Sequence, residues 1–197
     1  MNLSKNQKYW AIGLGVGAIA LVTLAIVYFL RKPSSKGAKY FSESDEWYQD
    51  ANNKKIVNNL HPDAVPKFKD FLSRVEKELG YVALLTSGYR TWEEQEKLKA
   101  KDSRNASAGT SSHNYGFALD MNFKKDGKNV LRMATPTADW EKSGILNVAK
   151  DMGLLWGGTF TGYQDRVHFY YEPVSRDKMK ELYLAGKKDE KGYIKLA

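Results

Sequence analysis

The stretch of residues 111–120, SSHNYGFALD, places two potential metal ligands, His113 and Asp120, seven positions apart. Seven positions is too far for neighbours on one helical turn, but it suits a loop ligand followed by a strand ligand. Gly116 and Ala118 lie between them, and such small residues let the backbone pass close to a metal ion. The stretch therefore predicts a loop that leads into a short strand, with one ligand on each.

The absence of cysteine limits the chemistry of any metal site. It excludes disulfides, thiolate zinc sites and cysteine nucleophiles, so a metal must be held by His, Asp or Glu. His168 lies in a late strand candidate, with Asp165 three residues before it. Two imidazoles and one carboxylate supply three zinc ligands and leave a fourth position for water, and a nearby free carboxylate can act as a general base. Ordinary hydrogen-bonded histidines are the alternative, and spacing alone does not decide between the two.

The net charge of +8 is concentrated at the start of the chain. Residues 1–40 contain six basic residues and no acidic one, which leaves 25 Lys and Arg against 23 Asp and Glu in the remainder. This excess flanks an apolar segment, where it meets lipid head groups more readily than nucleic-acid phosphates. We therefore expect a membrane partner and no nucleic-acid partner.

The apolar segment, residues 10–30, contains no charged residue. As a helix its 21 residues would span about 31 Å, the thickness of the hydrocarbon core of a bilayer. A cleaved signal peptide is the alternative, but the run is long for one and its end lacks small residues at a cleavage site. The sequence thus predicts an N-terminal transmembrane helix and the following divisions: flank 1–9, helix 10–30, basic linker 31–41, catalytic domain 42–173 and charged tail 174–197.

Helices and short strands follow one another without regular alternation after the linker. We predict helices over 43–60, 64–79 and 140–152 and one starting at Thr91, and strands over 81–86, 117–123 and 167–171. The helix over 64–79 has apolar residues at three- and four-residue steps, and Gly80 is suited to end it. This mixture indicates an α+β domain with a small sheet.

Three blocks of sequence resemble one family of enzymes. Residues 111–120 resemble the S-x-H-x-x-G-x-A-x-D motif of the D-Ala-D-Ala carboxypeptidase/VanY zinc metallopeptidases (peptidase family M15). Residues 85–91, LTSGYRT, match the S-G-Y-R block of that family, and residues 155–158 (LWGG) with 165–169 (DRVHF) resemble its third block. The chain is most similar to the branch of L-alanyl-D-glutamate endopeptidases found in phage endolysins and wall-remodelling enzymes. The resemblance implies an α+β fold of the Hedgehog/D-Ala-D-Ala peptidase type, with a small antiparallel sheet and flanking helices.

The resemblance also implies roles for five residues. His113, Asp120 and His168 would bind Zn²⁺, and Asp165 would be the general base. Arg90 would polarise the scissile carbonyl and stabilise the oxyanion. Other branches have Glu where this chain has Asp165, which favours the endolysin-like branch.

The neighbours of these residues are assigned to substrate binding or support of the site. Ser111 would support the loop or a ligand by hydrogen bonding, and Ser87 adjoins Arg90 in the S-G-Y-R block. Tyr89 and Tyr115 are candidates for lining the substrate groove, with buried packing as the alternative. His61, which precedes Pro62, fits a helix entry better than a fourth ligand. Val167 replaces the usual Pro of the family and is compatible with an extended strand.

The function implied is zinc-dependent hydrolysis of the peptidoglycan stem peptide at the L-Ala-D-Glu bond, in lysis or wall remodelling, by a phage-encoded or bacterial enzyme. A D-Ala-D-Ala carboxypeptidase is the alternative within this chemistry, and a catalytically silent wall-binding or structural phage protein is the alternative outside it. We expect a single-pass membrane protein with its domain on the periplasmic or wall-facing side, where the substrate is. The four basic residues after the segment against two before it favour the opposite orientation.

Overall fold

The computed structural model describes residues 39–196. The predicted membrane segment, residues 10–30, lies outside this range. Across residues 39–196, every helix is too short or too polar to cross a bilayer.

The described residues form a small antiparallel sheet with helices packed around it, which confirms the predicted α+β class. The strands run in the order β1-β2-β5-β4, and β3 pairs with the end of β2. Two 3-10 turns are also present: Ser112–Tyr115 lies before β2, and Gly157–Thr159 directly follows β4. The elements in chain order are α1 Glu46–Gln49, α2 Ala51–Asn58, α3 Val65–Leu79, β1 Val82–Ser87, α4 Trp92–Lys101, β2 Ala118–Lys125, β3 Lys128–Leu131, α5 Thr137–Lys142, α6 Ile145–Asp151, β4 Leu155–Trp156, β5 His168–Tyr170 and α7 Arg176–Leu184.

Helix α3 holds the sheet in place through one apolar face. Its three- and four-residue spacing buries Phe68, Phe71, Leu72 and Val75 completely or almost completely. Burying each such side chain stabilises the fold by roughly 1.5–3 kcal/mol. The Phe71 ring lies 5.4 Å from the ring of Phe169 on β5, so this helix supports the strand that carries His168.

Two predicted helices are each interrupted in the structure. The predicted helix over 43–60 is divided into α1 and α2 because Asp50 is extended, at φ −67° and ψ 123°, and caps α2 by accepting a hydrogen bond from the Asn53 backbone N–H. The predicted helix over 140–152 is divided into α5 and α6 by Gly144, whose φ of +82° lies in the left-handed region. The apolar spacing predicts one continuous helix in each region. The extended aspartate and the left-handed glycine divide each of them into two.

The predicted strands over 81–86, 117–123 and 167–171 correspond to β1, β2 and β5, whereas β3 and β4 were not predicted. The connection from β2 to β3 is the pair Asp126-Gly127, with φ values of +51° and +73°. Both residues in the left-handed region give the tight turn that Asp-Gly favours between antiparallel strands. The helix predicted to start at Thr91 is confirmed as α4, and Thr91 forms a capping box with Glu94 at its start.

The C-terminal segment, which the sequence analysis treated as a charged tail, contributes to the same hydrophobic core. Met179 and Leu182 of α7 are buried, and so is Ile194. The Ile194 carbonyl lies 2.8 Å from Nε2 of His61, and the Tyr193 hydroxyl donates to the Asn59 carbonyl at 3.0 Å. Residues 193–194 are thus hydrogen-bonded to the residues that lead into α3.

Replacing Ile194 with Ala is expected to lower the free energy of unfolding by about 2–5 kcal/mol, because the side chain is only 2% exposed and its removal leaves a cavity. The measurement is urea unfolding followed by tryptophan fluorescence. Lys195→Ala, at an exposed neighbouring position, is the matched control and should change stability by less than about 0.5 kcal/mol. Equal stability of the two variants would contradict a structural role for this segment.

Candidate metal centre and catalytic cleft

A short turn presents His113. The Ser111 hydroxyl accepts a hydrogen bond from the His113 backbone N–H at 3.4 Å and caps the turn Ser112–Tyr115. Gly116 ends the turn at φ +73°, and its carbonyl accepts from the backbone N–H of His61 at 3.0 Å. A Cβ at position 116 would collide with the His61 backbone nitrogen. The glycine of the H-x-x-G pattern is therefore required both by its dihedral and by this close approach.

Strand pairing brings the other two potential ligands together. Asp120 of β2 is paired directly with His168 of β5, and on its other side it faces Ser87 at the end of β1. Residues directly opposite each other in an antiparallel pair project from the same face of the sheet. The register of β2 and β5 thus places the Asp120 carboxylate beside the His168 imidazole.

His113, Asp120 and His168 converge into one cluster. His113 Nε2 lies 3.1 Å from Asp120 Oδ1 and 3.1 Å from His168 Nδ1, and His168 Nδ1 lies 2.9 Å from Asp120 Oδ1. Zinc ligands at tetrahedral positions are separated by about 3.3 Å, so this N, N, O set matches the spacing and the donor types of a zinc site. The three residues that the sequence analysis singled out as ligands thus fit the metal.

The outer contacts of the cluster favour metal binding. His113 Nδ1 lies 2.6 Å from the Gly88 carbonyl, which fixes the proton on Nδ1 and leaves the lone pair of Nε2 for a metal. Burial by itself would raise the pKa of Asp120, but the two neighbouring imidazoles outweigh it and hold that pKa below its usual range. Asp120 is therefore ionised, as a carboxylate that binds a metal must be.

Asp165 lies beside the cluster in a partly buried position. Its backbone N–H donates to the Gly157 carbonyl at 3.0 Å, and its own carbonyl accepts from the His168 N–H at 3.2 Å. A Cβ at position 157 would lie 2.6 Å from the Asp165 carbonyl oxygen, so only glycine fits there. Burial, followed by the negative charge of Asp120, raises the pKa of Asp165, which makes its carboxylate a stronger base.

Arg90 is fixed at the edge of the cluster by several hydrogen bonds. Its Nη1 donates to Gln95 Oε1 at 2.8 Å, its Nη2 donates to Ser87 Oγ at 2.9 Å, and its backbone N–H donates to the His113 carbonyl at 3.0 Å. Nη2 also lies 3.7 Å from Asp120 Oδ2. The guanidinium is thus a positive charge with little freedom to move, next to the potential metal ligands.

The remaining candidates divide into two groups. Ser87 and Ser111 contact Arg90 and His113 respectively, as described above. Tyr115 is buried and donates to the Gly109 carbonyl at 2.9 Å, while Tyr89 packs against the Tyr193 ring at 5.5 Å. Neither tyrosine is among the residues that line the cleft described below. His61 accepts from the Asp63 N–H at the entry to α3 and lies outside the metal cluster.

The cluster opens into a cleft of about 460 Å³, a size suited to a small peptide. Several of its lining residues could not be predicted from the sequence, because nothing in their local sequence marks them. Gln95 is 1% exposed and orients Arg90 while donating to the Ala106 carbonyl. Other residues that line the cleft are Arg104, Asn105, Thr110, Ser112, Phe160, Thr161, Tyr163 and Arg176.

Three potential metal ligands, a carboxylate with a raised pKa and a fixed guanidinium on one cleft are the groups that a zinc-dependent hydrolase uses. A family model described as D-alanyl-D-alanine carboxypeptidase matches residues 104–171. The peptidoglycan L-alanyl-D-glutamate endopeptidase CwlK of Bacillus subtilis (strain 168) is 30% identical over 131 residues, which cover 60% of this chain and 77% of that protein. The chain belongs to the D-alanyl-D-alanine carboxypeptidase family of zinc metallopeptidases (M15).

Solved structures with a similar course of the chain include two enzymes. The L-Ala D-Glu endopeptidase ChiX of Serratia marcescens is 20% identical with a TM-score of 0.48, covering 65% of this chain and 90% of that one. The vancomycin resistance D,D-pentapeptidase VanY of a VanB-type cassette, in complex with Zn(II), is 18% identical with a TM-score of 0.45, covering 62% and 78%. Membership of the family rests on the sequence relative.

Proposed function

We propose that the chain is a zinc-dependent peptidoglycan endopeptidase that hydrolyses the L-alanyl-D-glutamate bond of the stem peptide. The observation that carries this proposal is the convergence of His113, Asp120 and His168 beside Asp165 and Arg90 on one cleft. The choice of bond is supported by the CwlK relative, which is named for that cleavage.

In the proposed hydrolysis of the amide bond, each residue of the site has a separate role. His113, Asp120 and His168 would hold zinc, which when bound acts as a Lewis acid on water and carbonyl oxygen. Asp165, with its raised pKa, accepts a proton from the attacking water and delivers it to the leaving amine. Arg90 donates hydrogen bonds to the carbonyl oxygen as negative charge develops on it. Ser87 and Gln95 keep the guanidinium oriented for that task.

Replacing Arg90 with Lys is expected to lower kcat by about 10²–10³-fold, the usual cost of losing one oxyanion donor. Lys keeps the charge but lacks the planar fork that reaches Ser87 and Gln95 together. Peptide hydrolysis and zinc content are measured on the same preparation, with Arg132→Lys, an exposed position outside the cleft, as the control. Full activity of Arg90→Lys would remove Arg90 from the proposed mechanism.

The proposed bond is tested by product analysis. The full chain is loaded with zinc, incubated with peptidoglycan, and the products are identified by mass spectrometry. New amino-terminal D-glutamate, lost on chelation, supports the endopeptidase. Released D-alanine supports the alternative that the family description names, a D-Ala-D-Ala carboxypeptidase. Bound zinc without either product on several wall types would favour a silent wall-binding or structural phage protein.

We further propose that residues 10–30 anchor the enzyme in the membrane, with the linker 31–41 leading to a catalytic domain that starts near residue 42 and faces the wall. The support is the uncharged apolar run itself and the location of the substrate. Because the flanking basic residues favour the opposite orientation, the test is direct. A periplasmic reporter fused after residue 197 should be active, and an inactive reporter would refute this orientation.

A further inference from the structure

The cleft has more positive charge than hydrolysis requires. Its lining includes three arginines, of which Arg90 is held beside the metal cluster. Arg104 and Arg176 are the other two, while the acidic lining residues are Asp120, a member of the cluster, and Asp165, which lies beside it. Each of these two arginines is paired with a carboxylate that is not part of the lining, Arg104 with Asp102 and Arg176 with Glu172. What they offer an anionic group of a substrate is therefore their remaining N–H donors.

Arg104 lines the cleft with a side chain that is 63% exposed and paired with Asp102. Its Nε lies 3.0 Å from both carboxylate oxygens of Asp102, and its guanidinium carbon lies 4.9 Å from the centre of the Tyr163 ring. Asp102 ends α4, whereas Tyr163 precedes Asp165, so this contact joins two segments that border the site. The Nη1 atom has no hydrogen-bond partner among residues 39–196 and remains available to a ligand.

Arg176, the first residue of α7, contacts the end of β5 and the loop that follows it. Its Nε lies 2.8 Å from Glu172 Oε1, and its guanidinium carbon lies 5.9 Å from the centre of the Tyr170 ring. The Tyr170 ring in turn stacks on the His168 imidazole at 5.2 Å. The side chain is 46% exposed, and within the described part of the chain neither of its terminal nitrogens has a hydrogen-bond partner. Arg176 therefore has free N–H donors and lines the same cleft as the potential metal ligand His168.

We propose that Arg104 and Arg176 bind a free carboxylate of the stem peptide on the C-terminal side of the scissile bond, and that they make the enzyme select acidic over amidated stems. This inference rests on the proposed function. When D-glutamate continues the stem through its side-chain carboxyl, its α-carboxylate stays free next to the scissile nitrogen. A guanidinium fork matches a planar carboxylate with two parallel hydrogen bonds. A carboxamide at that position instead presents N–H donors to the donors of the arginines.

The test compares matched peptides with the full, zinc-loaded chain. One pair differs only in D-glutamate against D-isoglutamine at the second position, and a second pair differs in diaminopimelate against lysine at the third. The wild type should prefer the carboxylate member of one pair by roughly 10- to 100-fold in kcat/KM, mainly through KM. The pair that shows the preference identifies which carboxylate is bound. Arg104→Gln and Arg176→Gln should each lower that ratio toward one, and Arg132→Gln should leave it unchanged.

Calorimetric binding of the same peptides to the zinc-loaded chain is the second readout. It keeps the two proposals distinguishable, because a chain that cleaves none of the peptides contradicts the proposed function while its binding preference still tests the arginines. Equal kcat/KM and equal affinity for both peptides of each pair would overturn the inference. A preference that survives in Arg104→Gln and Arg176→Gln would overturn it as well.

Discussion

Replacing Asp165 with Asn is expected to lower kcat by about 10²–10⁴-fold, the contribution of a positioned general acid–base group. Asn has nearly the shape of Asp but accepts no proton. The contacts of Asp165 with Gly157 and His168 are made by backbone atoms, so the substitution should preserve the fold and the zinc content. The measurement is the rate of peptide hydrolysis beside metal analysis of the same sample.

The pH dependence of the rate provides an independent check on Asp165. Its base form is the carboxylate, so activity should fall as the pH drops through the pKa of this group. Burial is the largest cause that raises that pKa, so the fall should begin at a higher pH than for an ordinary aspartate, whose pKa is about 3.9. The residual activity of Asp165→Asn should lack this acid limb. A variant with most of its activity and an unchanged pH profile would exclude Asp165 as the base.

The potential metal ligands were assigned from the resemblance of three sequence blocks to the family, because the spacing of His113 and Asp120 alone left ordinary hydrogen-bonded histidines open. The structure shows what these blocks do locally. In the stretch of 111–120, a glycine that tolerates positive φ ends the turn of His113 and a strand begins before Asp120. The partner His168 needed no local signal beyond its own strand, since the pairing of β2 with β5 places it opposite Asp120. Short-range dihedral preferences and strand pairing together fixed the cluster.

The parts that were missed depend on tertiary neighbours. Nothing around Gln95 shows that it is buried and orients Arg90, because that contact forms only when α4 packs on the turn that carries the arginine. Likewise Arg176 reaches the cleft through the packing of α7, in a segment that its charges marked as a tail. Apolar periodicity also predicted two continuous helices where Asp50 and Gly144 interrupt the structure. The periodicity reflects which side chains are buried and carries no information on backbone dihedral angles.

The His168→Ala variant is expected to lose zinc and, with it, all measurable hydrolysis. Partners that merely orient a metal ligand contribute about 10–100-fold to affinity, so removing one of three ligands should weaken zinc binding by more than 100-fold. Zinc should raise the melting temperature of the wild type, since a ligand at 100 times its Kd stabilises by about 2.7 kcal/mol. That shift should be absent in the variant, as measured by thermal unfolding with and without zinc.

The three histidines of the chain supply the matched comparison for this prediction. His61 is also buried, but it bonds to the Ile194 carbonyl and lies outside the metal cluster. His61→Gln should therefore bind zinc as the wild type does, even though the loss of its packing on Phe117, at 4.4 Å between ring centres, lowers stability. A His168→Ala protein that keeps one zinc per chain at wild-type affinity would show that the metal is held elsewhere. Zinc loss in both variants would instead mean that zinc binding reports on folding, because only His168 faces the other two ligands.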